Sequence, residues 1–263
     1  MKLRSLLFVP GDRPERFTRA AASGADAIIL DLEDSVAPEK KVDARAAIAG
    51  WLAGERPVTS FVRVNPLDGG LIDADLAAVL PGRPDGLILP KAEGAASVEA
   101  LLDRLGAAPP PILPIATETP AAVFQLGGYA RVGGYLAGLT WGAEDLPAAI
   151  GAATAREADG RYTAPYEMVR SLTLFGAHAA GVEAIETVFP RLDAPDALAA
   201  YVARARRDGF TGMMAIHPAQ VGPINAGFTP GAEELASARA IVDAFARNPG
   251  VGALKVDGKM VDL

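Results

Sequence analysis

One arrangement repeats along this chain: a short, nearly continuous apolar run, a few polar residues, then an Ala/Leu-rich stretch with helical spacing. The apolar runs are Ser5–Val9, Ala27–Leu30, Ser60–Val64, Gly86–Leu89, Ile112–Ala116, Tyr135–Thr140, Val182–Ile185 and Gly212–Ile216. None shows strict period-two alternation, which is the pattern of strands covered on both faces, as in parallel sheets. Helical stretches are expected at Pro14–Ala22, Lys40–Ala53, Asp73–Val79, Ala96–Leu105, Thr119–Gln125, Tyr166–Ala180 and Ala194–Arg207, with a last one at Gly231–Arg247. The Ala194–Arg207 stretch has Pro195 early, acids at its start and Arg204, Arg206 and Arg207 at its end, as the helix dipole favours. Eight β/α units in 263 residues predict a closed (β/α)8 TIM barrel, read as one domain over 1–263. An open dinucleotide-binding sheet would place GxGxxG after the first strand, where this chain has VPGDRPER.

Composition narrows the chemistry. Cysteine is absent, which removes disulfides, thiolate metal sites and cysteine nucleophiles, and only two histidines are present. The formal charge is −7, with no long basic run, so neither nucleic acid nor a membrane surface is expected as partner. The N-terminal apolar stretch is short for a signal peptide, and a cytoplasmic location is expected.

In parallel α/β folds the ligand sits where the strands end. Those ends carry Asp12 and Arg13; Asp31, Glu33 and Asp34; Arg63 and Asn65; Lys91; Glu118; Glu144 and Asp145; Glu186 and Thr187; and His217. A rim rich in carboxylates and without thiols suits a hard divalent cation, Mg2+ above all. Glu118 and Asp145, on neighbouring strands, are the best ligand pair, and Arg63 suits a substrate carboxylate. The same two acids also suit helix N-termini. Asp31, Glu33 and Asp34 suit equally well as partners of Lys40, Lys41 and Arg45. Lys91 is read as structural or binding rather than as a Schiff-base residue, and His217 as fixing a loop. His178 is expected in the core, Trp141 and Tyr135 inside the barrel, and the glycine pairs at 127–128 and 133–134 in turns.

The strings RSLLFVPG, DAIILDLEDSVAPEKKVDAR, FVRVN, LILPKAE, ATETPAAV, LTWGAEDL and GFTGMMAIHPAQV, in this order, resemble the citrate lyase β-subunit-like branch of the HpcH/HpaI aldolase family. The resemblance implies a TIM barrel, trimeric or hexameric, that makes or breaks a C–C bond between a 2-keto acid and an acyl thioester of CoA or an acyl-carrier protein. It implies Mg2+ on Glu118 and Asp145, substrate binding by Arg63, and acids Asp31, Glu33 and Asp34 near the metal-bound water. It also implies that Asp262, in the DGKMVD string, reaches a neighbouring subunit's site from a C-terminal segment starting near 231. Two departures stand out: the chain ends at Leu263, and Met213 and Glu186 occupy positions where Lys and Asp are common in relatives. Two other functions fit: a metal-dependent pyruvate-type aldolase on free hydroxy-keto acids, and a subunit active only within a multi-subunit citrate lyase. Arg4, Arg13, Arg16 and Lys91 form a candidate set for CoA phosphates.

Overall fold

The computed structural model describes residues 1–263, which form two compact units, Met1–Phe228 and Thr229–Leu263. In the first unit eight parallel strands follow one another around a barrel: β1 (Ser5–Pro10), β2 (Ala27–Asp31), β3 (Thr59–Arg63), β4 (Gly86–Leu89), β5 (Ile112–Pro114), β6 (Gly138–Thr140), β7 (Glu183–Glu186) and β8 (Gly212–Ala215). Seven neighbouring pairs form regular ladders, with β1 beside β8. The eighth seam, between β5 and β6, closes by single parallel bridges at Ile112–Leu136 and Ile115–Thr140, supported by Ala116 N–H on Thr140 O at 2.9 Å. The expected (β/α)8 barrel is the fold observed.

Around the barrel run α1 (Phe17–Ala21), α2 (Lys41–Ala53), α3 (Ile72–Val79), α4 (Ala95–Leu105), α5 (Pro120–Val123), α6 (Asp145–Ile150), α7 (Ala164–Ala180), α8 (Pro195–Asp208) and α9 (Val221–Gly227). Alternation along each strand divides the core in two. Leu6, Ala27, Ile29, Phe61, Ile88, Leu113, Ile115, Ile185 and Met214 fill the barrel interior. Leu7, Val9, Ile28, Leu30, Val62, Leu87 and Met213 pack outward under the helices. Strands covered on both faces need no polar alternation, which explains the continuous apolar runs.

Four expectations are corrected. Tyr135 is 50% exposed, because the chain before β6 is a 3-10 stretch (Leu126–Tyr135) outside the barrel. That stretch also holds both glycine pairs, as a succession of turns. Trp141 is fully buried, but in the layer between barrel and helices rather than inside the barrel. His178 is exposed: the buried stripe of α7 runs through Tyr166, Val169, Arg170, Thr173, Leu174 and Ala177, and one further residue turns about 100° away. Its ring meets Gly209 O at 3.2 Å instead. Arg4 sits at the start of β1, at the end of the barrel away from the strand C-termini. There it is locked to Asp26 at 2.8 Å, so it cannot join a phosphate-binding set at the mouth.

The second unit holds α10 (Ala232–Arg247) and an antiparallel hairpin, β9 (Ala253–Val256) and β10 (Lys259–Asp262). Asp257 and Gly258 join the strands, both with positive φ (48° and 80°), as a two-residue hairpin turn demands. Asp262 pairs with Ala253 at the end of this ribbon and its side is exposed.

Candidate active site

The strand C-termini surround a cavity of about 310 Å3 lined by Asp31, Asp34, Arg63, Glu118, Glu144, Asp145 and Thr187, among apolar neighbours Phe8, Ile115 and Met214. Strand parity decides who enters it. Asp31 and Arg63 occupy inward registers one step above Ile29 and Phe61, and they face each other across paired strands. Arg63 Nε and Nη2 each donate to Asp31 at 2.7 Å, and Nη1 lies 2.9 Å from Glu33 Oε2. The guanidinium stacks 4.8 Å above the Phe8 ring. Its two-pronged edge, expected for a substrate carboxylate, is held by Asp31.

The DLEDS turn is folded around Asp31, which accepts Glu33 N–H at 2.9 Å, Ser35 N–H at 3.1 Å and the Ser35 hydroxyl. These donors and Arg63 hold the Asp31 carboxyl below the usual range, although burial pushes the other way. Glu33 is tied to Lys91 Nζ at 2.5 Å, and burial raises its pKa. Two of the three cations considered as partners for this turn lie elsewhere. Lys40 contacts Asp43, and Arg45 holds Asp75 at 2.7 Å. Lys41 is buried, and its ammonium donates to Leu32 O, Glu33 O and Asn65 Oδ1 at 2.6, 2.8 and 2.9 Å. Lys41, one of the three cations read as partners of this turn, does reach it, but staples its backbone carbonyls rather than its carboxylates.

Glu118 is 4% exposed. Its Oε2 accepts the Lys91 N–H at 2.5 Å, and burial, with Glu33 and Asp145 nearby, pushes its pKa up to about 8. Lys91 adopts a left-handed φ of 50°, so one residue aims its N–H at Glu118 and its ammonium at Glu33. Glu33 also raises the Lys91 pKa, which keeps the amine protonated and unsuited to Schiff-base chemistry. Asp145 opens α6 at its first residue, half-buried on the cavity wall. Gly142 permits the close approach of the two loops: a Cβ there would stand 2.9 Å from Glu118 Cγ. Its N–H and carbonyl are both bonded to the Thr117 hydroxyl, at 3.1 and 3.2 Å.

Glu186 does not reach the cavity. Parity sends it outward, where Trp141 Nε1 (2.5 Å), Arg170 Nε (2.6 Å) and Thr187 N–H (3.0 Å) surround it. The next residues, Thr187 and Val188, line the site. His217 behaves as read: its Nδ1 accepts Ala219 N–H at 3.2 Å and caps a short turn.

The donor set at the mouth fits a hard divalent cation. A buried carboxyl with one N–H donor, beside further carboxylates on one polar cavity, is costly to ionise alone and cheap to ionise around a cation.

Comparison with known proteins agrees with this geometry. The HpcH/HpaI aldolase/citrate lyase family profile matches residues 4–218. The chain belongs to that family. A citrate lyase subunit beta-like protein of Mycobacterium tuberculosis is 37% identical, over 97% of this chain and 89% of its own length. A (3S)-malyl-CoA thioesterase of Cereibacter sphaeroides is 33% identical (98% and 89%), and the mitochondrial citramalyl-CoA lyase of Rattus norvegicus 30% (99% and 82%). The crystal structure of the CitE protein of M. tuberculosis, in complex with magnesium, acetoacetate and coenzyme A, superposes with a TM-score of 0.83 at 34% identity, covering 100% of this chain and 93% of that one.

Proposed function

We propose that this chain is a Mg2+-dependent carbon–carbon lyase that cleaves a 3-hydroxyacyl thioester of citryl, malyl or citramalyl type into an acyl thioester and a 2-keto acid. The carrying observation is Glu118: a carboxyl raised to about 8 by burial, sharing a cavity with Asp145 and Arg63. Family membership and the named activities of the relatives support the same reading.

Glu118 and Asp145 hold the ion, and Mg2+, when bound, supplies positive charge that stabilises developing oxyanions. Arg63, immobilised by Asp31, presents its outward N–H groups to the substrate carboxylate and neutralises charge as it develops. Asp31 lines the substrate end of the site, and Glu33, buried behind it, helps it hold Arg63 and Lys91 in place. The hydroxyl proton passes to a carboxylate of this cluster, the C–C bond breaks, and its electron pair remains on the thioester α-carbon. Asp262 of a second copy protonates that carbon, in a homotrimer or hexamer working in the cytoplasm. The thioester tail follows a groove of about 390 Å3 lined by Phe8, Pro10, Arg16, Arg19 and His217, which shares Phe8 and Pro10 with the site.

The test is keto-acid release from citryl-, malyl- and citramalyl-CoA with Mg2+ or EDTA, for the parent and for Glu118→Ala and Asp145→Ala. Release should require Mg2+ and fall roughly a hundredfold or more in both variants. Release indifferent to EDTA and to both substitutions ends the proposal. The thioesterase relative at 33% identity favours a second reading, hydrolysis, which would yield free hydroxy acid instead of keto acid. Turnover of free hydroxy-keto acids would indicate an aldolase, and activity only with an acyl-carrier partner a lyase subunit.

A further inference from the structure

Beside the site lies a second pocket, of about 250 Å3, built by the loop before α7, the segment after β7 and α8. Four arginines line it. Two are already neutralised: Arg161 by Asp159 at 2.6 Å, and Arg204 by Glu167 and Asp208. The other two, Arg156 and Arg191, form no ion pair. They converge on one residue. Arg156 Nη1 donates to Gly160 O at 3.0 Å, and a Cβ on Gly160 would be in ordinary contact, 3.6–3.7 Å, with the Arg191 guanidinium. Gly160 has φ of 87°, so the approach uses a conformation that other residues adopt with strain.

Both guanidiniums lie over aromatic rings, Arg156 at 4.0 Å from the Tyr162 centroid and Arg191 at 5.5 Å from that of Phe189. Stacking spends the planar face and leaves N–H edges for an acceptor. Arg156 gives Nη2 to the Tyr162 hydroxyl at 2.7 Å and Nη1 to Gly160, and keeps its Nε. The structure shows no hydrogen bond from Arg191. The one carboxylate lining the pocket, Asp159, is paired with Arg161, so the two remaining like charges brought to one glycine repel each other, and a dianion between them removes the repulsion. A phosphate brings three acceptor oxygens and nearly two negative charges to two separate guanidiniums, where a single carboxylate brings two oxygens and one charge.

We propose that this pocket binds a phosphate group, either as free phosphate or on a small metabolite, through Arg156 and Arg191. The pocket is separate from the thioester groove near Arg16 and Arg19. It adjoins the site through two covalent and packed links. Phe189 follows the lining residues Thr187 and Val188, and the Tyr162 ring meets Trp141 edge-on at 5.0 Å, directly before the Gly142–Asp145 loop. Occupancy is therefore read at the wall that carries Asp145.

Inorganic phosphate is titrated by calorimetry into the full chain at constant ionic strength, with chloride as control, for the parent, Arg191→Gln and Arg16→Gln. A Trp51→Phe background leaves Trp141 as sole tryptophan reporter. The expected result is saturable binding with a change in Trp141 emission, weakened roughly tenfold or more by Arg191→Gln and unchanged by Arg16→Gln. A nucleoside monophosphate binding more tightly than phosphate, still dependent on Arg191, assigns the phosphate to a carried group; equal affinity assigns it to free phosphate. Urea unfolding confirms that Arg191→Gln, an exposed position, is folded. Binding untouched by Arg191→Gln, lost instead with Arg16→Gln, or reproduced by chloride overturns the proposal, as does tighter Arg191-dependent binding of a dicarboxylate.

Discussion

Two arginines in the barrel unit are each locked between two carboxylates, and the comparison separates a structural cluster from a functional one. Arg170 donates to Glu186 at 2.6 Å and Asp208 at 2.7 Å and stacks 4.6 Å from Phe210. Arg63 donates to Asp31 and Glu33 and stacks over Phe8. Around Arg170 the charges close on themselves: Glu186 also receives the Trp141 and Thr187 N–H groups, and Asp208 is shared with Arg204 and Arg207. Around Arg63 they do not. Asp31, Glu33 and Glu118 are all buried, against Arg63, Lys91 and Lys41, and Asp145 with the exposed Asp34 and Glu144 leaves a surplus of carboxylates facing the cavity. A balanced cluster in a dry layer serves cohesion. Surplus negative charge over a cavity is tolerated only where a cation or a proton completes it.

Parallel substitutions should break the symmetry. Arg63→Lys is expected to lower kcat/KM roughly a hundredfold or more, since a single ammonium cannot hold Asp31 and also serve a substrate carboxylate. Its unfolding free energy should fall less than that of Arg170→Lys, which strands a carboxylate in the dry layer at a cost of about 3 kcal/mol. Urea unfolding beside keto-acid release measures both; equal stability losses would show that the two clusters do the same job.

The pH dependence sharpens the contrast further. The Glu118 carboxyl is raised from 4.5 to about 8, so between those values the folded protein keeps a proton that the unfolded chain has lost. Metal-free stability therefore decreases as pH rises through that window, the opposite of the usual carboxylate trend. Asp31 runs the usual way: its lowered pKa gives stability that is lost only as acid protonates it. Glu118→Gln should flatten the slope between pH 4.5 and 8, and Mg2+ should flatten it in the parent; thermal unfolding across pH reads this. A parent curve rising with pH in the window contradicts the assignment.

The smallest effect concerns Lys91. Lys91→Gly keeps the N–H that Glu118 accepts and relieves the left-handed backbone, whereas Lys91→Ala keeps the strain. The glycine variant should be more stable than the alanine variant by about 1 kcal/mol, with the ammonium lost in both. A reversed order in urea unfolding would show that the backbone at 91 is unstrained.

The strand order, the barrel and the identity of the mouth residues were legible because each depends on local pattern: apolar runs at fixed rhythm and polar residues at their ends. The apolar runs at β5 and β6 are longer than the strands they form: each has three residues in regular ladder, with β4 and β7, and the seam between them closes by single bridges. Short α6 is absent from the expected helices although Asp145 suits a helix N-terminus, and the β9–β10 hairpin is absent although Asp257–Gly258 is a strong turn signal. Pairing was less legible. Asp31 and Arg63 are 32 residues apart, and only strand register joins them.

The sequence by itself determined the (β/α)8 rhythm, the family and the set of acids and bases at the strand ends, because these follow from residue type and spacing along the chain. Only the tertiary structure decided which way each of them points. Strand parity turns Asp31 and Arg63 inward and Glu186 outward, and the pairing of β4 with β5 brings Glu118 beside Lys91. Burial then sets each charge, and burial belongs to the folded chain rather than to any residue in it.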